Sequence, residues 1–176
     1  HQKTCYVCPV CNGVACKGQI PGMGGKGTGA SFIRNYQKIH DVKLVLDTIM
    51  EDSEISTESY FFDTKVSLPV YGAPIAGMIQ QYQSDFSETD FADAMVEGCL
   101  LAGTISFVGD GKDVTTFVDP LRSVEKNQGM GVPTMKPWER KGIDARLEHV
   151  RVSNCLALAC DVDASGLLFL RNVDPR

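Results

Sequence analysis

Short apolar runs alternate with helically spaced apolar positions along the second half of the chain. Four of the runs have the length of strands, and they lie at residues 69–75, 104–108, 131–136 and 156–161. Three stretches with apolar residues on one helical face separate them, at residues 88–101, 117–126 and 139–152. Ser87 precedes the first of these helices, where its hydroxyl can accept a free backbone amide. Strands that alternate with helices predict right-handed βαβ crossovers and a parallel sheet, so the predicted class is α/β.

The run from Leu68 to Met78 is the most informative part of the sequence. It is apolar, and no turn residue interrupts it before Gly72. Such a run is typical of a parallel strand that is buried on both faces. Pro74 and Gly77 then free the backbone at the carboxyl end of the strand. Because ligands bind at that end in barrels and in open α/β sheets, we predict a functional site there.

The first 66 residues differ from the rest of the chain in composition and in the periodicity of apolar residues. Residues 1–29 are rich in Cys and Gly and show little periodicity. Three local elements follow, namely a helix at Ala30–Ile39, a strand at Lys43–Ile49 and a small hairpin at Tyr60–Val66 that turns at Asp63-Thr64. These changes in composition and periodicity predict three regions, at residues 1–29, 30–66 and 67–176.

Composition and charge narrow the class of protein. The 176 residues are 43% hydrophobic and carry a net charge of −5, which argues against a general nucleic-acid binder. No apolar run approaches the roughly 20 residues that span a bilayer, and no signal-peptide pattern is present. The seven cysteines are odd in number and four fall within the first sixteen residues, so a reducing cytoplasm fits better than a disulfide scaffold. Because the chain begins with His1 rather than Met, we expect an upstream segment.

Several segments resemble the FMN-dependent α-hydroxy-acid oxidases and dehydrogenases, the group of lactate oxidase and glycolate oxidase. Ser67–Gly77, which ends in Ala-Pro-Ile-Ala-Gly, resembles the first barrel strand of that family, and Leu158–Gly166 resembles its fourth. Cys-Pro-Val-Cys-Asn-Gly at 8–13 and Gly-Gly-Lys-Gly-Thr-Gly at 24–29 are similar to a bacterial branch described as α-hydroxy-acid oxidizing proteins. The resemblance implies a TIM-type (β/α)8 barrel with FMN that oxidises a small 2-hydroxy acid by hydride transfer to flavin N5.

A complete barrel of this type takes about 250 residues, so this chain covers only about its first four βα units plus the Cys- and Gly-rich extension. The catalytic Lys, His and Arg of the family have no counterpart here, and we expect them in the missing C-terminal half. The chain is therefore expected to be the N-terminal part of a longer enzyme, or to need a second polypeptide, and to form a homo-oligomer. By itself it is expected to be inactive.

The resemblance also implies which residues contact the cofactor and the substrate. They are Pro74, Ile75, Ala76, Gly77, Gly109, Lys136 and Asp161 for the flavin, and Trp138 for the substrate. A small residue is required under the flavin ring because a side chain would block the arriving hydride. Lys136 would stabilise the anion that forms on flavin reduction, with a solvated loop cation as the alternative. Trp138 stands where the family has a substrate-binding Tyr, with packing at a helix start as the alternative.

Four cysteines form the sharpest cluster in the sequence, with the spacing Cys5-x2-Cys8-x2-Cys11-x4-Cys16. Thiolates at this spacing can converge on an iron–sulfur cluster or on zinc, although the last gap departs from the bacterial ferredoxin pattern. The alternative is a set of free thiols on an arm or packed under the barrel. An iron–sulfur cluster would give the flavin an electron outlet and would favour a dehydrogenase over an oxidase.

Other chemistries stay open beside the 2-hydroxy-acid oxidoreductase. The same flavin scaffold serves type 2 isopentenyl diphosphate isomerase, and a non-enzymatic Cys-cluster metal-binding module is the third hypothesis. The glycine-rich stretch Gly22–Gly29 fails as a dinucleotide fingerprint because no strand precedes it, and it is interpreted as a cover over the site, an anion-binding nest with Lys26, or a set of tight turns. The expected partners are a small 2-hydroxy acid and the second half of the barrel, with neither nucleic acid nor membrane.

Overall fold

A computed structural model of the protein describes residues 6–17, 24–25, 27–79 and 84–162, and it shows a mixed α/β architecture with small sheets. The helices of this part are α1 (Ala30–Asp41), α2 (Glu88–Leu101), α3 (Thr115–Lys126) and α4 (Arg140–Val150). The strands are β1 (Ser59–Phe61), β2 (Thr64–Val66), β3 (Phe107–Val108), β4 (Val132–Met135) and β5 (Ala159–Cys160). All four predicted helices are confirmed, with ends that shift by at most two residues.

The chain divides into two compact units, His1–Ile55 and Ser56–Arg176. In the first unit, the Gly25 amide donates to the Gly13 carbonyl over 2.8 Å. Gly13 has a φ of +69°, and a Cβ there would lie 2.8 Å from the Phe32 ring of α1, so only glycine fits. The apolar face of α1 has no buried residue.

The predicted strand at Lys43–Ile49 is wrong. This segment has no regular secondary structure, and its apolar side chains are almost fully exposed, with Leu44 at 98% and Ile49 at 94%. A β-prone apolar run becomes a strand only when a neighbouring strand pairs with it, and within the described residues none does.

A parallel sheet forms the centre of the second unit, in the order β3-β4-β5. Phe107 of β3 lies opposite Val132 of β4, and Thr134 of β4 lies opposite Ala159 of β5. A fourth segment joins the outer side of β3 through a single parallel pairing of Gly72 with Ser106, in which the Gly72 amide donates to the Ile105 carbonyl over 3.0 Å. The predicted parallel arrangement is therefore confirmed, although the described strands do not close into a barrel.

The predicted strand at 69–75 is not buried on both faces. Only Gly72 pairs with the sheet, and Val70 and Ile75 are 63% and 40% exposed. Pro69 and Pro74 cannot donate to a ladder, so the segment joins the strand ladder at Gly72 and otherwise runs as irregular backbone. The Thr104 hydroxyl also donates to the Val70 carbonyl over 2.6 Å.

An antiparallel hairpin, β1–β2, precedes the sheet. Its two-residue turn is Phe62–Asp63, with Phe62 at a φ of +49°, rather than the predicted Asp63-Thr64. Phe61 of the hairpin contacts Tyr71 and Phe107 edge-on, with ring centroids 5.2 and 5.8 Å apart. This aromatic cluster covers one end of the sheet face on which Phe107 lies.

The helices of the second unit pack on the opposite face of the sheet. Val108 of β3 and Met135 of β4 are buried there in one apolar cluster with residues of α2 and α3, namely Val96, Phe117, Leu121 and Val124. Neighbouring residues of a strand point to opposite faces, so Phe107 and Thr134 face away from the helices.

The start of α2 confirms the predicted N-cap. The Asp90 amide donates to the Ser87 hydroxyl over 3.1 Å, and the Ser87 amide donates back to the Asp90 carboxylate. The Ser87 hydroxyl and the Ser87 amide both donate to the Asp90 carboxylate, over 2.7 and 3.1 Å, and these two bonds lower the pKa of Asp90. The capping box therefore contributes its full stability at pH values above the usual pKa of an aspartate, and this contribution is lost as the pH falls through the lowered pKa.

Gly72→Ala tests the backbone pairing between the fourth segment and the described sheet. A Cβ at Gly72 would lie 2.7 Å from Ser106 Oγ and 3.0 Å from Cys99 Sγ. We expect a loss of about 1–3 kcal/mol in the free energy of unfolding, measured by urea titration, because the added methyl group overpacks a buried contact.

The matched control is Gly98→Ala on α2, where a Cβ meets no atom within 4 Å. This change should be neutral or should stabilise the helix by up to about 1 kcal/mol. An equal effect of the two substitutions would show that the Gly72 contact is not what holds the segment.

Candidate functional site

An open cleft of about 390 Å3 lies on the sheet face that the helices leave free. Its lining comes from all four parallel segments and from no helix, namely Tyr71, Gly72, Ala73, Pro74, Phe107, Thr134, Ala159 and Asp161. Most of the lining is apolar or small, and a few polar groups are placed among it. This combination is typical of sites that bind small molecules.

Polarity changes in order along the cleft. Tyr71 and Phe107 belong to the aromatic cluster, Thr134 lies further along β4, and Asp161 follows the carboxyl end of β5. Lys136 is two residues beyond Thr134 and reaches Asp161. The cleft therefore has an apolar end, a hydroxyl in the middle and an ion pair at the carboxyl ends of the strands.

Thr134 carries the most telling polar atom of the cleft. The residue is 6% exposed, and among the buried side chains of the described residues its Oγ1 is the atom that has no hydrogen-bond partner. A buried hydroxyl without a partner costs about 1–3 kcal/mol, and such groups are rare in folded proteins. An unpaired hydroxyl that lines a cleft is suited to bind a polar group of a ligand.

Lys136 and Asp161 form an ion pair at the mouth of the cleft. Lys136 Nζ lies 2.9 Å from Asp161 Oδ2, and the two side chains are 26% and 27% exposed. Their backbones are also fixed, because the Lys136 amide donates to the Asp110 carboxylate and the Asp161 amide donates to the Met135 carbonyl. The pair is thus held in place by main-chain bonds on both strands.

The Ala-Pro-Ile-Ala-Gly terminus is held by a carboxylate from α2. The Gly77 and Met78 amides donate to the two oxygens of Glu88 over 3.0 and 2.6 Å. Gly77 has a φ of +84°, which turns the chain towards Glu88. Gly109 lies directly against this segment, and a Cβ there would be 2.7 Å from the Ile75 carbonyl carbon. Small residues are therefore required where two strand ends meet main chain to main chain.

A buried carboxylate, Asp110, lies behind the predicted site and was not among the predicted site residues. Asp110 is fully buried, and Arg146 Nε lies 2.9 and 3.0 Å from its two oxygens. Arg146 also donates to the Gly111 and Gly142 carbonyls, over 3.0 and 3.1 Å. The sequence held a signal for this pair, because Arg146 falls on the apolar face of α4 with Ile143 and Val150. A charge on a core-facing stripe needs a buried partner.

Trp138 belongs to this buried network. Its indole Nε1 donates to the Asp110 carboxylate, and the Arg146 guanidinium stacks over its ring at 4.8 Å from the centroid. The ring also packs against the helix-side core. These contacts are those of the packing alternative, and a role of Trp138 in substrate binding stays a prediction.

Among the residues predicted to contact the cofactor, Pro74 and Asp161 line the cleft and Lys136 adjoins it. Ile75, Ala76 and Gly109 come together in the close main-chain contact next to it. Gly77 is buried and turned towards Glu88. The fold thus gathers the ends of the predicted strands in one region of the second unit.

The predicted metal site stays a prediction. Cys5 lies outside the described residues, whereas Cys8, Cys11 and Cys16 are described as free thiols that are at least partly exposed. Within residues 6–17, 24–25, 27–79 and 84–162, no group of three or more metal-ligating side chains comes together. Of the glycine-rich stretch, residues 22, 23 and 26 also lie outside the described part.

Comparisons with known proteins give no neighbour for this chain. No protein-family model matches it, and neither does any curated protein or solved structure. A search of the described helices for one that is long and apolar enough to cross a bilayer also found none.

Asp110→Asn tests the buried network. The substitution keeps the shape of the side chain but leaves the Arg146 guanidinium buried without its counter-charge. We expect a loss of about 3–5 kcal/mol in the free energy of unfolding, measured by urea titration. Asp110→Asn combined with Arg146→Met removes both charges and should recover part of this loss.

Asp144→Asn is the matched control, because Asp144 forms an exposed pair with Arg140 at 2.9 Å on the same helix. We expect a change within about 1 kcal/mol there. A loss in Asp110→Asn that is no larger than in the control would contradict the role given to the buried pair.

Proposed function

We propose that the chain is half of an FMN-dependent oxidoreductase that acts on a small 2-hydroxy acid. The observation that carries the proposal is the cleft on the helix-free face, which four parallel segments line in chain order and in which the Thr134 hydroxyl has no partner. The resemblance of Ser67–Gly77 and Leu158–Gly166 to the first and fourth strands of that family supplies the chemistry.

The one-sided packing supports a half barrel. Parallel sheets occur almost always with both faces covered, because their crossover helices lie on the faces or because the sheet closes on itself. Here the described helices of the second unit cover one face, and the cleft occupies the other. Further βα units, from the same polypeptide or from a second one, would complete the barrel and enclose the cleft.

The residues of the cleft fit a flavin. Its volume of about 390 Å3 lies within the range of small-molecule sites, roughly 300–1,000 Å3. Gly72, Ala73 and Ala159 leave space for a flat ring, and the Thr134 hydroxyl can bond to one of its polar edges. Lys136 offers a cation at the carboxyl end of the strands. When bound, FMN supplies the hydride acceptor that no amino-acid side chain provides.

In this enzyme, the residues of this chain would bind and orient the flavin and the substrate. Glu88 fixes the turn at Gly77 and Met78, and Gly109 lets the Ile75–Ala76 backbone lie against the next strand end. That arrangement keeps side chains away from the region where the α-hydrogen of the substrate would approach. A base that takes the hydroxyl proton is expected in the other half, because neither of the described histidines, His40 and His149, lies at a strand end.

The Thr134→Val variant tests the proposal, because it should raise the free energy of unfolding and should weaken the binding of FMN. Val has the shape of Thr without its hydroxyl, so the free chain loses an unpaired buried group and should gain about 1 kcal/mol in the free energy of unfolding. FMN binding, followed by quenching of flavin fluorescence, should weaken about fivefold to tenfold because the ligand loses a hydrogen bond.

Thr134→Ser is the control, because it keeps the hydroxyl and should keep most of the affinity for FMN. The proposal fails if the purified chain takes up no FMN and shows no flavin absorbance. Equal binding of FMN to wild type and to Thr134→Val would contradict the assignment of the FMN site to the cleft.

A further inference from the structure

We infer that the segment Lys43–Ile49 is a self-complementary strand, which pairs antiparallel with the same segment of a second copy of this chain. Its composition predicts a strand, but in the single chain the segment has no regular secondary structure. The segment belongs to the first unit, so the inference is independent of the flavin proposed for the second unit.

The side chains of this segment form an apolar surface without a cover. Leu44, Val45, Leu46 and Ile49 are between 88% and 98% exposed. Apolar side chains left in water do not contribute the main favourable term of folding. Single exposed apolar residues are common, but consecutive ones form a contiguous patch, and such a patch marks an interaction site.

The backbone of the segment is available for strand pairing. Val42, which directly follows α1, is extended, with a φ of −74° and a ψ of 118°. No residue of Lys43–Ile49 is proline, so every amide of the segment can donate to a partner strand. Among the backbone hydrogen bonds of the described residues, none involves this segment. A partner strand would therefore displace no bond within the described chain.

The order of the charges favours an antiparallel pair centred on Val45. The five residues Lys43-Leu-Val-Leu-Asp47 have the same apolar pattern in both directions, with opposite charges at the two ends. In a two-fold antiparallel pair, Lys43 lies opposite Asp47 of the second copy, and Leu44 lies opposite Leu46 of the second copy. Each end of the pair then carries a cross-strand ion pair, and opposite charges in such positions stabilise a sheet.

Other pairings of two copies lose this match of charges. A parallel pair in register would set Lys43 beside Lys43 and Asp47 beside Asp47, and like charges in neighbouring positions are destabilising. An antiparallel pair shifted by one residue would place Lys43 opposite Leu46 or Thr48, which carry no charge. The sequence therefore specifies both the direction and the register of the pair.

One face of the pair needs a cover, which α1 can provide. Side chains alternate along a strand, so Leu44 and Leu46 of both copies lie on one face. A two-stranded pair is marginal by itself and gains stability when a helix packs on its apolar face. Helix α1 precedes the segment in the same unit, and its apolar face, with Tyr36 and Ile39 exposed, has no buried residue. We therefore assign the leucine face to the α1 helices of the dimer.

The test is sedimentation velocity of the full 176-residue chain over a range of concentrations. Wild type should form a dimer whose share rises with concentration. Lys43→Asp should weaken the dimer about tenfold, because both ion pairs become contacts between like charges. Lys43→Asp combined with Asp47→Lys should restore the dimer, since the same two ion pairs form again with their signs exchanged.

Arg151→Asp is the matched control, because it changes the net charge by the same amount in an exposed pair with Glu148. It should leave the dimer unchanged. Hydrogen exchange read by mass spectrometry provides a second measurement. The amides of residues 43–49 should exchange more slowly at high concentration in wild type, and they should not do so in Lys43→Asp. The side chains of Lys43 and Asp47 are exposed, so these variants remove no buried contact.

A wild-type chain that stays monomeric up to the millimolar range overturns the inference. Equal weakening by Lys43→Asp and Arg151→Asp, or a double variant that does not restore the dimer, overturns it as well. Growth into larger aggregates would contradict a closed two-fold pair. Fast exchange of residues 43–49 at every concentration would leave the segment to another occupant, such as the further βα units of the proposed barrel, and would also contradict the inference.

Discussion

The buried Asp110 carboxylate is the constraint on which the rest of the second unit depends. It accepts from the Lys136 amide, the Trp138 indole and the Arg146 guanidinium, so one side chain ties the end of β3 to the end of β4 and to α4. Burying two charges costs several kcal/mol for each ion, and the cost is offset only when good geometry satisfies their donors and acceptors. Asp110 and Arg146 meet that condition, and the loops that carry Lys136 and Trp138 are fixed as a result.

The sheet above this network has two different faces. One face is closed by α2 and α3 over Val108 and Met135 in an apolar cluster, which provides the main core. The other face carries aromatic rings, a hydroxyl and an ion pair in order, and it stays open as a cleft. A face built only for stability would be apolar throughout, because unpaired polar groups under cover are costly. This order of polarity is the basis of the ligand site that we propose for the open face.

Helices were predicted well from the sequence because their apolar stripes and the Ser87 cap are local signals. The parallel pairing also followed from the alternation of elements. The extents of the strands could not be predicted in this way, since Lys43–Ile49 has the composition of a strand but pairs with no strand of the described residues. The Asp110–Arg146 pair joins residues 36 positions apart, and the spacing of residues along the chain does not reveal which buried charges meet. Of the residues predicted for the site, Pro74 and Asp161 line the cleft, whereas the partners of Lys136 and Glu88 required three-dimensional contacts.

The close contacts of glycine join the stability of the fold to the geometry of the site. Gly72 and Gly109 lie where two strand ends approach so closely that a methyl group would meet Ser106 Oγ or the Ile75 backbone. Of these two glycines, Gly72 also lines the cleft. Each glycine carries a larger entropic cost of folding than other residues do, because it loses more conformational freedom when the chain folds. The apolar core between the sheet and its helices offsets this entropic cost. The packed face of the sheet thereby stabilises the strand ends that border the cleft on the other face.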